Sequence, residues 1–159
     1  MRITKQIEWD MGHRIPKHKS QCCNLHGHRY KLEICLAGAL VAGKDLSDEG
    51  MVIDFSDIKA VAMHYVHDIC DHAFMVSDED EILLSFFRDN PDLASVVVPF
   101  IPTVENIVLW AFEQLEDKYS DTYGTGLELE YLRLWETPTS SAYCDRQEYH
   151  KYLMERTTS

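Results

Sequence analysis

The N-terminal part of the chain contains two segments in which apolar and polar residues alternate, separated by a polar loop. Residues 3–11 carry apolar side chains at odd positions such as Ile7 and Trp9, and residues 30–36 repeat the pattern at even positions. A period of two predicts two β-strands, each with one buried face. If the strands pair antiparallel across residues 14–25, the chain is built on a sheet from its first element.

The rest of the chain predicts an α+β protein. One helix follows Ser56 as its N-cap, with apolar positions at 58, 61, 62, 65 and 69, and another follows Thr103, with an apolar stripe over 104–115. Residues 78–101 are predicted as a short helix and a loop, 127–135 as the last strand, and 145–155 as a terminal helix. This order favours one domain over residues 1–159, with an antiparallel sheet and residues 145–159 as a C-terminal extension. The open edges of a small sheet favour assembly with identical subunits.

Composition and charge exclude several classes of protein. The 159 residues suffice for one domain, and no apolar run is long enough to span a bilayer. The N-terminus lacks the apolar core of a signal peptide and the five cysteines form an odd set, so we expect reduced thiols and a cytoplasmic protein. A net charge of −12 argues against a nucleic-acid or membrane partner. Residues 1–31 nevertheless hold seven Lys or Arg and two acidic residues, which suits a local pocket for a phosphate ester.

Three histidines are the candidate metal ligands: His13, His26 and His28. In a strand His26 and His28 project to the same side, and Gly27 between them allows close approach of backbone or ligand. Antiparallel pairing would bring His13 beside them and complete a three-imidazole site for Zn²⁺ with an open fourth position. The tripeptide alone is also compatible with a turn bearing exposed rings, and Cys22 or Cys23 could close a structural zinc site, although no C-x-x-C pair exists. Three imidazoles would also accept iron, cobalt or nickel.

Three further features suit proton transfer or ligand binding. Asp71 directly precedes His72, and such a carboxylate can orient the imidazole as a general acid or base, although the pair also fits a solvated turn. Glu105 lies in the first turn of the second helix, where the helix dipole alone favours an acid. Glu136 ends the last predicted strand, where a buried carboxylate would suit a guanidine-like donor edge of a ligand and an exposed one would merely be solvated.

Six motifs along residues 3–140 make the chain resemble the 6-pyruvoyl-tetrahydropterin synthase family, which includes 6-carboxy-tetrahydropterin synthases. They are Gly12-His13-Arg14, Cys22-x-x-x-His26-Gly27-His28, Gly50-Met51-Val52-Ile53-Asp54-Phe55, Asp71-His72, Pro102-Thr103-x-Glu105-Asn106 and Trp135-Glu136-Thr137. The resemblance implies a tunnelling-fold (T-fold) subunit, with a four-stranded antiparallel sheet and helices on one face, that forms trimers and usually hexamers. It also implies catalytic Zn²⁺ on the three histidines. The implied proton-transfer set is Cys22, Asp71 and His72, and the implied pterin-pocket residues are Thr103, Glu105 and Glu136.

The spacing of Cys22 and His26 bears on the activity. Three residues stand between them, which is similar to the carboxy synthases of the queuosine pathway, whereas animal-type pyruvoyl synthases have five. The resemblance implies conversion of 7,8-dihydroneopterin triphosphate to 6-carboxy-5,6,7,8-tetrahydropterin, with loss of acetaldehyde and triphosphate. Pyruvoyl synthase or another pterin-processing activity, and a non-catalytic metal- or pterin-binding subunit, remain the alternatives. Cys23 leaves open which thiol is the base.

The basic residues near the cysteines are expected to bind the substrate triphosphate or to stabilise the thiolate. We expect Lys17, Lys19 and Arg29 to meet the triphosphate of the substrate. Arg14 or Lys19 would stabilise the thiolate, because a nearby cation lowers the pKa of a thiol.

Overall fold

The computed structural model describes residues 1–124 and 126–157, which form a six-stranded sheet with packed helices. The strands are β1 (Arg2–His13), β2 (His26–Ala37), β3 (Phe74–Ser77), β4 (Ser95–Val98), β5 (Glu128–Thr137) and β6 (Ser140–Asp145). The helices are α1 (Phe55–Ala62), α2 (Asp68–Cys70), α3 (Glu81–Asp89), α4 (Val104–Leu115), α5 (Lys118–Tyr123) and α6 (Arg146–Thr157). A 3₁₀ turn spans Gln21–Cys23, and a π-helical turn, Met63–His67, joins α1 to α2. Within the described ranges, no helix has the length and apolar character needed to cross a membrane.

The strand order is β4-β3-β1-β2-β5-β6, so the α+β class is confirmed but the purely antiparallel four-stranded sheet is wrong. Strands β1, β2, β5 and β6 are adjacent and antiparallel, whereas β3 and β4 extend the sheet beside β1 as parallel strands. The sequence reasoning missed β3 and β4 because each has only four residues, too few to show a period of two. It also missed β6, whose six residues do not alternate between apolar and polar side chains. It correctly predicted a short helix in residues 78–101, which is α3.

The helix predicted with Ser56 as its N-cap begins two residues earlier than expected, at Phe55. Its N-cap is Asp54, whose carboxylate accepts a hydrogen bond from the backbone nitrogen of Ser56 at 2.7 Å. Beyond Ala62 the π-helical turn adds a residue to one turn and shifts the buried stripe. Val66 and Cys70 are therefore buried, whereas Ile69, which the regular helical spacing predicts in the core, is exposed.

The core lies between one face of the sheet and the helices. The sheet contributes buried residues such as Trp9, Tyr30 and Leu132. The predicted apolar stripe of α4 is confirmed, since its buried residues are Ile107, Val108, Ala111, Phe112 and Leu115. The predicted terminal helix is also confirmed as α6, whose Tyr149 stacks on Phe112 with ring centroids 4.6 Å apart.

Strand β5 contains two bulges that change the direction of its side chains. The pairing with β2 skips Glu130, and the pairing with β6 skips Glu136. After the first bulge Leu132 and Leu134 face the core, so the predicted single alternation over 127–135 is wrong beyond Leu129. Bulges often lie next to functional sites, where they re-aim a side chain.

Candidate metal centre and active site

Antiparallel pairing of β1 and β2 brings the three histidines together. His13 pairs with His26 and Met11 pairs with His28, so the three imidazoles project from one face of two adjacent strands. Their candidate ligand nitrogens all lie within 4.8 Å of one another. His13 is buried, whereas His26 and His28 are partly exposed. Such a cluster can hold one metal ion with a side open to a ligand.

Two backbone carbonyls orient the imidazoles. His13 Nδ1 lies 2.7 Å from the carbonyl oxygen of Pro102, and His26 Nδ1 lies 2.8 Å from that of Asn24. A carbonyl oxygen can only accept, so each Nδ1 is the protonated nitrogen and each Nε2 keeps its lone pair. The Nε2 of His13 is buried and has no hydrogen-bond partner in the part of the chain that the structure describes. An orphaned buried nitrogen on an imidazole oriented by its other nitrogen is what a metal ligand requires, so these residues fit the ion that the sequence predicts.

Burial keeps two of these imidazoles neutral. Burial lowers the pKa of His13, and the hydrogen bond to Pro102 opposes this effect without reversing it. Burial likewise lowers the pKa of His28. The neutral imidazole is the form that binds a metal ion, so the lowered pKa values of His13 and His28 favour metal binding.

Glu136 faces the same cluster from the second bulge of β5. Its Oε1 lies 3.5 Å from Nε2 of His13 and 3.9 Å from Nε2 of His28. Tyr30 lies beside it, with its ring centroid 5.9 Å from that of His13 and 5.8 Å from that of His28. The sequence reasoning placed Tyr30 only on the buried face of β2. Burial raises the pKa of Tyr30 and the Glu136 charge raises it further, so the phenol stays protonated beside the carboxylate.

Cys22 and Cys23 lie in the 3₁₀ turn between β1 and β2, and both are partly buried. The backbone nitrogen of Ile15 donates to the carbonyl oxygen of Cys22 at 2.8 Å, which ties the turn to the end of β1. Among the described residues, neither thiol belongs to the group of ligand atoms around the histidines. A closed structural zinc site that includes a cysteine therefore receives no support from this geometry.

Arg14, one of the two cations expected to stabilise the thiolate, is paired with a carboxylate. Its guanidinium makes a bidentate ion pair with Asp80, with both N–O distances 2.6 Å, and also donates to the carbonyl oxygen of Cys23 at 3.4 Å. Arg29, expected near the triphosphate, is paired with Asp10 at 2.9 Å. The role expected of Arg14 beside the thiolate stays a prediction, since Arg14 contacts the cysteine turn but shares its charge with Asp80, and Lys17 and Lys19 are exposed near the same turn in sequence.

Asp71 and His72 lie together but outside the histidine cluster. Nδ1 of His72 is 2.9 Å from Oδ2 of Asp71, while the other oxygen of Asp71 accepts from the backbone nitrogen of Asp10. His72 has a left-handed backbone (φ 59°) and its side chain is 79% exposed. His67 Nε2 also lies 4.0 Å from Asp71, a neighbour that the i, i+4 spacing could have revealed. The structure thus presents an oriented imidazole to the outside of the subunit.

The start of α4 borders the cluster. Thr103 caps the helix, accepting from the backbone nitrogen of Asn106 at 3.4 Å, and the preceding Pro102 holds His13. Glu105 is exposed in the first turn. A cleft of about 420 Å³ opens beside His28 and Glu136, and Trp135 also lines it. A cleft of about 650 Å³ beside residues 38–57 is larger but includes none of the histidines.

Comparison with known proteins agrees with this geometry. The sequence profile of the family "PTPS: 6-pyruvoyl tetrahydropterin synthase" matches residues 2–147. The chain is 36% identical over 149 residues to a Haemophilus influenzae protein named 6-carboxy-5,6,7,8-tetrahydropterin synthase, covering 92% of this chain and 99% of that protein. A Rickettsia bellii protein of the same name is 32% identical, with coverage of 87% and 95%.

Solved structures share the fold. An uncharacterized protein from Wolinella succinogenes superposes with a TM-score of 0.71 at 24% identity, covering 92% of this chain and 98% of that chain. The 6-pyruvoyl tetrahydropterin synthase of Caenorhabditis elegans superposes with a TM-score of 0.60 at 20% identity, covering 91% and 94%. The profile match over most of the chain, together with relatives above 30% identity, shows that this chain belongs to the 6-pyruvoyl tetrahydropterin synthase family.

Proposed function

We propose that this chain catalyses the formation of 6-carboxy-5,6,7,8-tetrahydropterin from 7,8-dihydroneopterin triphosphate, with release of acetaldehyde and triphosphate. The observation that carries the proposal is the cluster of three imidazoles, two of them oriented by backbone carbonyls, just after the Cys22 turn. The names of the curated relatives support it, because they match over nearly the whole chain. The physiological role that we propose is the queuosine and 7-deazapurine pathway.

The three histidines would hold Zn²⁺. The ion would supply Lewis-acid chemistry, polarising the oxygen atoms of the substrate side chain and lowering the pKa of its hydroxyl groups. The protein's own contribution is orientation: Pro102 and Asn24 fix two of the rings, and burial keeps His13 neutral.

Cys22 is the proposed base that removes a proton from the substrate side chain. Its turn is tied to β1 through Ile15 and lies directly before β2, which carries His26 and His28. Cys23 is the alternative base, and the two single alanine variants distinguish them. A base must lie within hydrogen-bond reach of the proton that it removes once substrate is bound.

His72, oriented by Asp71, is the proposed proton donor or acceptor on the other side of the substrate. Its imidazole is exposed and, among the described residues, does not belong to the histidine cluster of its own chain. We therefore propose that the pair serves a site formed with a neighbouring subunit. The sheet offers open edges for such assembly, since β4 and β6 each pair with one strand among those described. A trimer or a hexamer in the cytoplasm is the proposed form.

Thr103, Glu105 and Glu136 are the proposed pterin-binding residues. Glu136 reaches the cleft of about 420 Å³, a volume in the ordinary range for small-ligand pockets. A carboxylate there would accept hydrogen bonds from the amino edge of the pterin, and Trp135 lines the same cleft. Lys17 and Lys19 remain the proposed triphosphate contacts, because Arg14 and Arg29 are already paired.

The test is an incubation of zinc-loaded protein with 7,8-dihydroneopterin triphosphate, with the products read by mass spectrometry. We expect carboxy-tetrahydropterin and acetaldehyde, lost in Cys22→Ala and retained in the neighbouring Cys23→Ala. Pyruvoyl-tetrahydropterin as the product would assign the rival synthase activity. Loss of turnover in Cys23→Ala alone would move the base by one position, and pterin binding without turnover would leave a non-catalytic subunit.

A further inference from the structure

The position of Glu136 suits a metal ligand better than a hydrogen-bond partner of His13 or His28. Its Oε1 lies 3.5 Å and 3.9 Å from the Nε2 atoms of His13 and His28. Both distances exceed the upper limit of about 3.2 Å for a nitrogen–oxygen hydrogen bond. The Nε2 of His13 has no hydrogen-bond partner among residues 1–124 and 126–157.

The same distances match the spacing of donors around one ion. Zinc bonds to nitrogen and carboxylate oxygen are about 2.0–2.1 Å long, so neighbouring donors of a tetrahedral site lie about 3.3 Å apart. The carboxylate oxygen is within a few tenths of an ångström of that spacing from His13, and a small side-chain rotation would shorten the longer distance to His28. Four donors would then surround the ion.

The backbone explains why this carboxylate points inward. Glu136 is the residue that the β5–β6 pairing skips, between Trp135 opposite Ser141 and Thr137 opposite Ser140. A regular strand would give it a β6 partner, whereas a bulge turns the unpaired residue and can re-aim its side chain.

We propose that Glu136 is an exchangeable fourth ligand of the metal site. In the resting subunit its carboxylate occupies the fourth position beside the three imidazoles. When a pterin binds, the amino edge of the ring draws the carboxylate away, and the vacated position becomes available to the side chain of the substrate. This inference rests on the proposed pterin site. On this view, pterin binding frees the fourth coordination position of the metal ion.

The first test measures Zn²⁺ affinity by competition with a chromophoric chelator, in the absence of any pterin. We expect Glu136→Gln to weaken zinc binding at least about tenfold, since even loss of an outer-shell partner costs about 10- to 100-fold. The matched control is Glu128→Gln, which removes the same charge from the same strand at an exposed position that pairs with Arg146. Equal zinc affinity in Glu136→Gln and the unaltered protein would overturn the proposal.

A second measurement separates ligation from a mere charge effect. Imidazole is a neutral probe, so its binding to the Co²⁺-loaded protein, read from the visible spectrum, reports whether the fourth position is free. We expect it to bind about tenfold more tightly to Glu136→Gln, where no carboxylate competes. Weaker zinc binding with unchanged imidazole binding would mean that Glu136 acts through its charge alone, which contradicts the proposal.

The exchange itself is tested with 6-methylpterin, which has the pterin amino edge but no side-chain hydroxyl groups. If it removes Glu136 from the metal, it lowers zinc affinity, and zinc must lower pterin affinity by the same factor. We expect a reciprocal loss of about threefold to tenfold. Independent binding of the two would overturn the exchange. Absence of pterin binding would overturn both the exchange and the proposed pterin site. The zinc-affinity and imidazole measurements need neither pterin nor turnover, so they test separately whether Glu136 binds the metal.

Discussion

Gly27 separates two histidines of the cluster and lies against the backbone of β1. A Cβ atom at this position would come 2.9 Å from the carbonyl oxygen of Met11, a distance that side chains do not tolerate without movement of the backbone. That carbonyl belongs to the residue that pairs with His28. The glycine therefore sets how closely the two strands approach where they carry the imidazoles.

We expect Gly27→Ala to lower zinc affinity and to destabilise the protein by about 1–3 kcal/mol, because the strands must move apart to accept the methyl group. Chelator competition and thermal unfolding measure the two effects. Gly126→Ala is the control, since a Cβ there meets nothing within 4 Å. Unchanged zinc affinity in Gly27→Ala would show that the spacing of the strands is not critical for the site.

The histidine cluster was predictable from the sequence and its surroundings were not. Alternation in β1 and β2 predicts which residues share a face, and this suffices to bring His13, His26 and His28 together. The carbonyl of Pro102 reaches His13 from 89 residues away in sequence, and Glu136 is aimed by a bulge. Neither follows from local periodicity, because both depend on how distant elements pack.

At the scale of elements, the largely buried ion pair between Arg14 and Asp80 attaches α3 to the end of β1. Asp80 caps α3, accepting from the backbone nitrogen of Leu83, and both of its oxygens bind the guanidinium of Arg14. Arg14 follows His13 directly and also contacts the cysteine turn through Cys23. The segment that separates β3 from β4 is thereby connected to the metal-binding strand and to the proposed base.

We expect Asp80→Asn to destabilise the protein by about 3 kcal/mol at neutral pH, because it leaves the mostly buried Arg14 without its counter-charge. The Arg14 guanidinium holds the pKa of Asp80 below its ordinary value of 3.8. The folded state thus binds fewer protons than the unfolded chain, so the stabilisation is present above pH 3.8 and is lost as the pH falls through the lower pKa. Urea unfolding from neutral to acid pH measures it, and the difference between the two proteins should shrink in acid.

The control for this ion pair is Asp10→Asn, which breaks the exposed pair with Arg29. It should change stability little, because solvent screens such pairs. Iodoacetamide should also modify Cys22 faster in Asp80→Asn, since Arg14 then holds the turn less firmly. Equal stability of the Asp80→Asn and Asp10→Asn proteins would contradict the assigned role of the ion pair.

Element prediction succeeded where local periodicity and tertiary packing agree. Strands β1 and β2 and helix α4 are long and amphipathic, so one pattern decides each. The π-helical turn after Ala62 and the short strands β3 and β4 break or fall below any regular period. Their conformations are decided by the elements that they pack against. Periodicity in the sequence therefore cannot predict them.

At the scale of the whole molecule, one subunit presents the two parts of the proposed proton-transfer system in different places. The metal-binding face carries the three histidines and lies beside the Cys22 turn, while His72 points outward beside Asp10. The backbone of His72 holds a left-handed conformation that non-glycine residues adopt sparingly, and Asp71 orients its ring. Strain of this kind is often retained at functional sites. A site shared between identical subunits reconciles the separation with the proposed chemistry.

A shared site predicts recovery of activity when two inactive variants assemble together. Cys22→Ala removes the proposed base, and His72→Asn removes the outward imidazole while keeping a residue that tolerates the left-handed backbone. Each variant alone should lose about 100-fold or more of its turnover while binding zinc normally. Coexpressed in equal amounts, they should form mixed oligomers in which about a quarter of the sites combine intact Cys22 with intact His72. The control pair is Cys22→Ala with His13→Ala, whose altered residues belong to the same half of the site, so that no site in their mixture has both Cys22 and His13 intact. Turnover of the first mixture no higher than that of its components would mean that each chain builds its site alone.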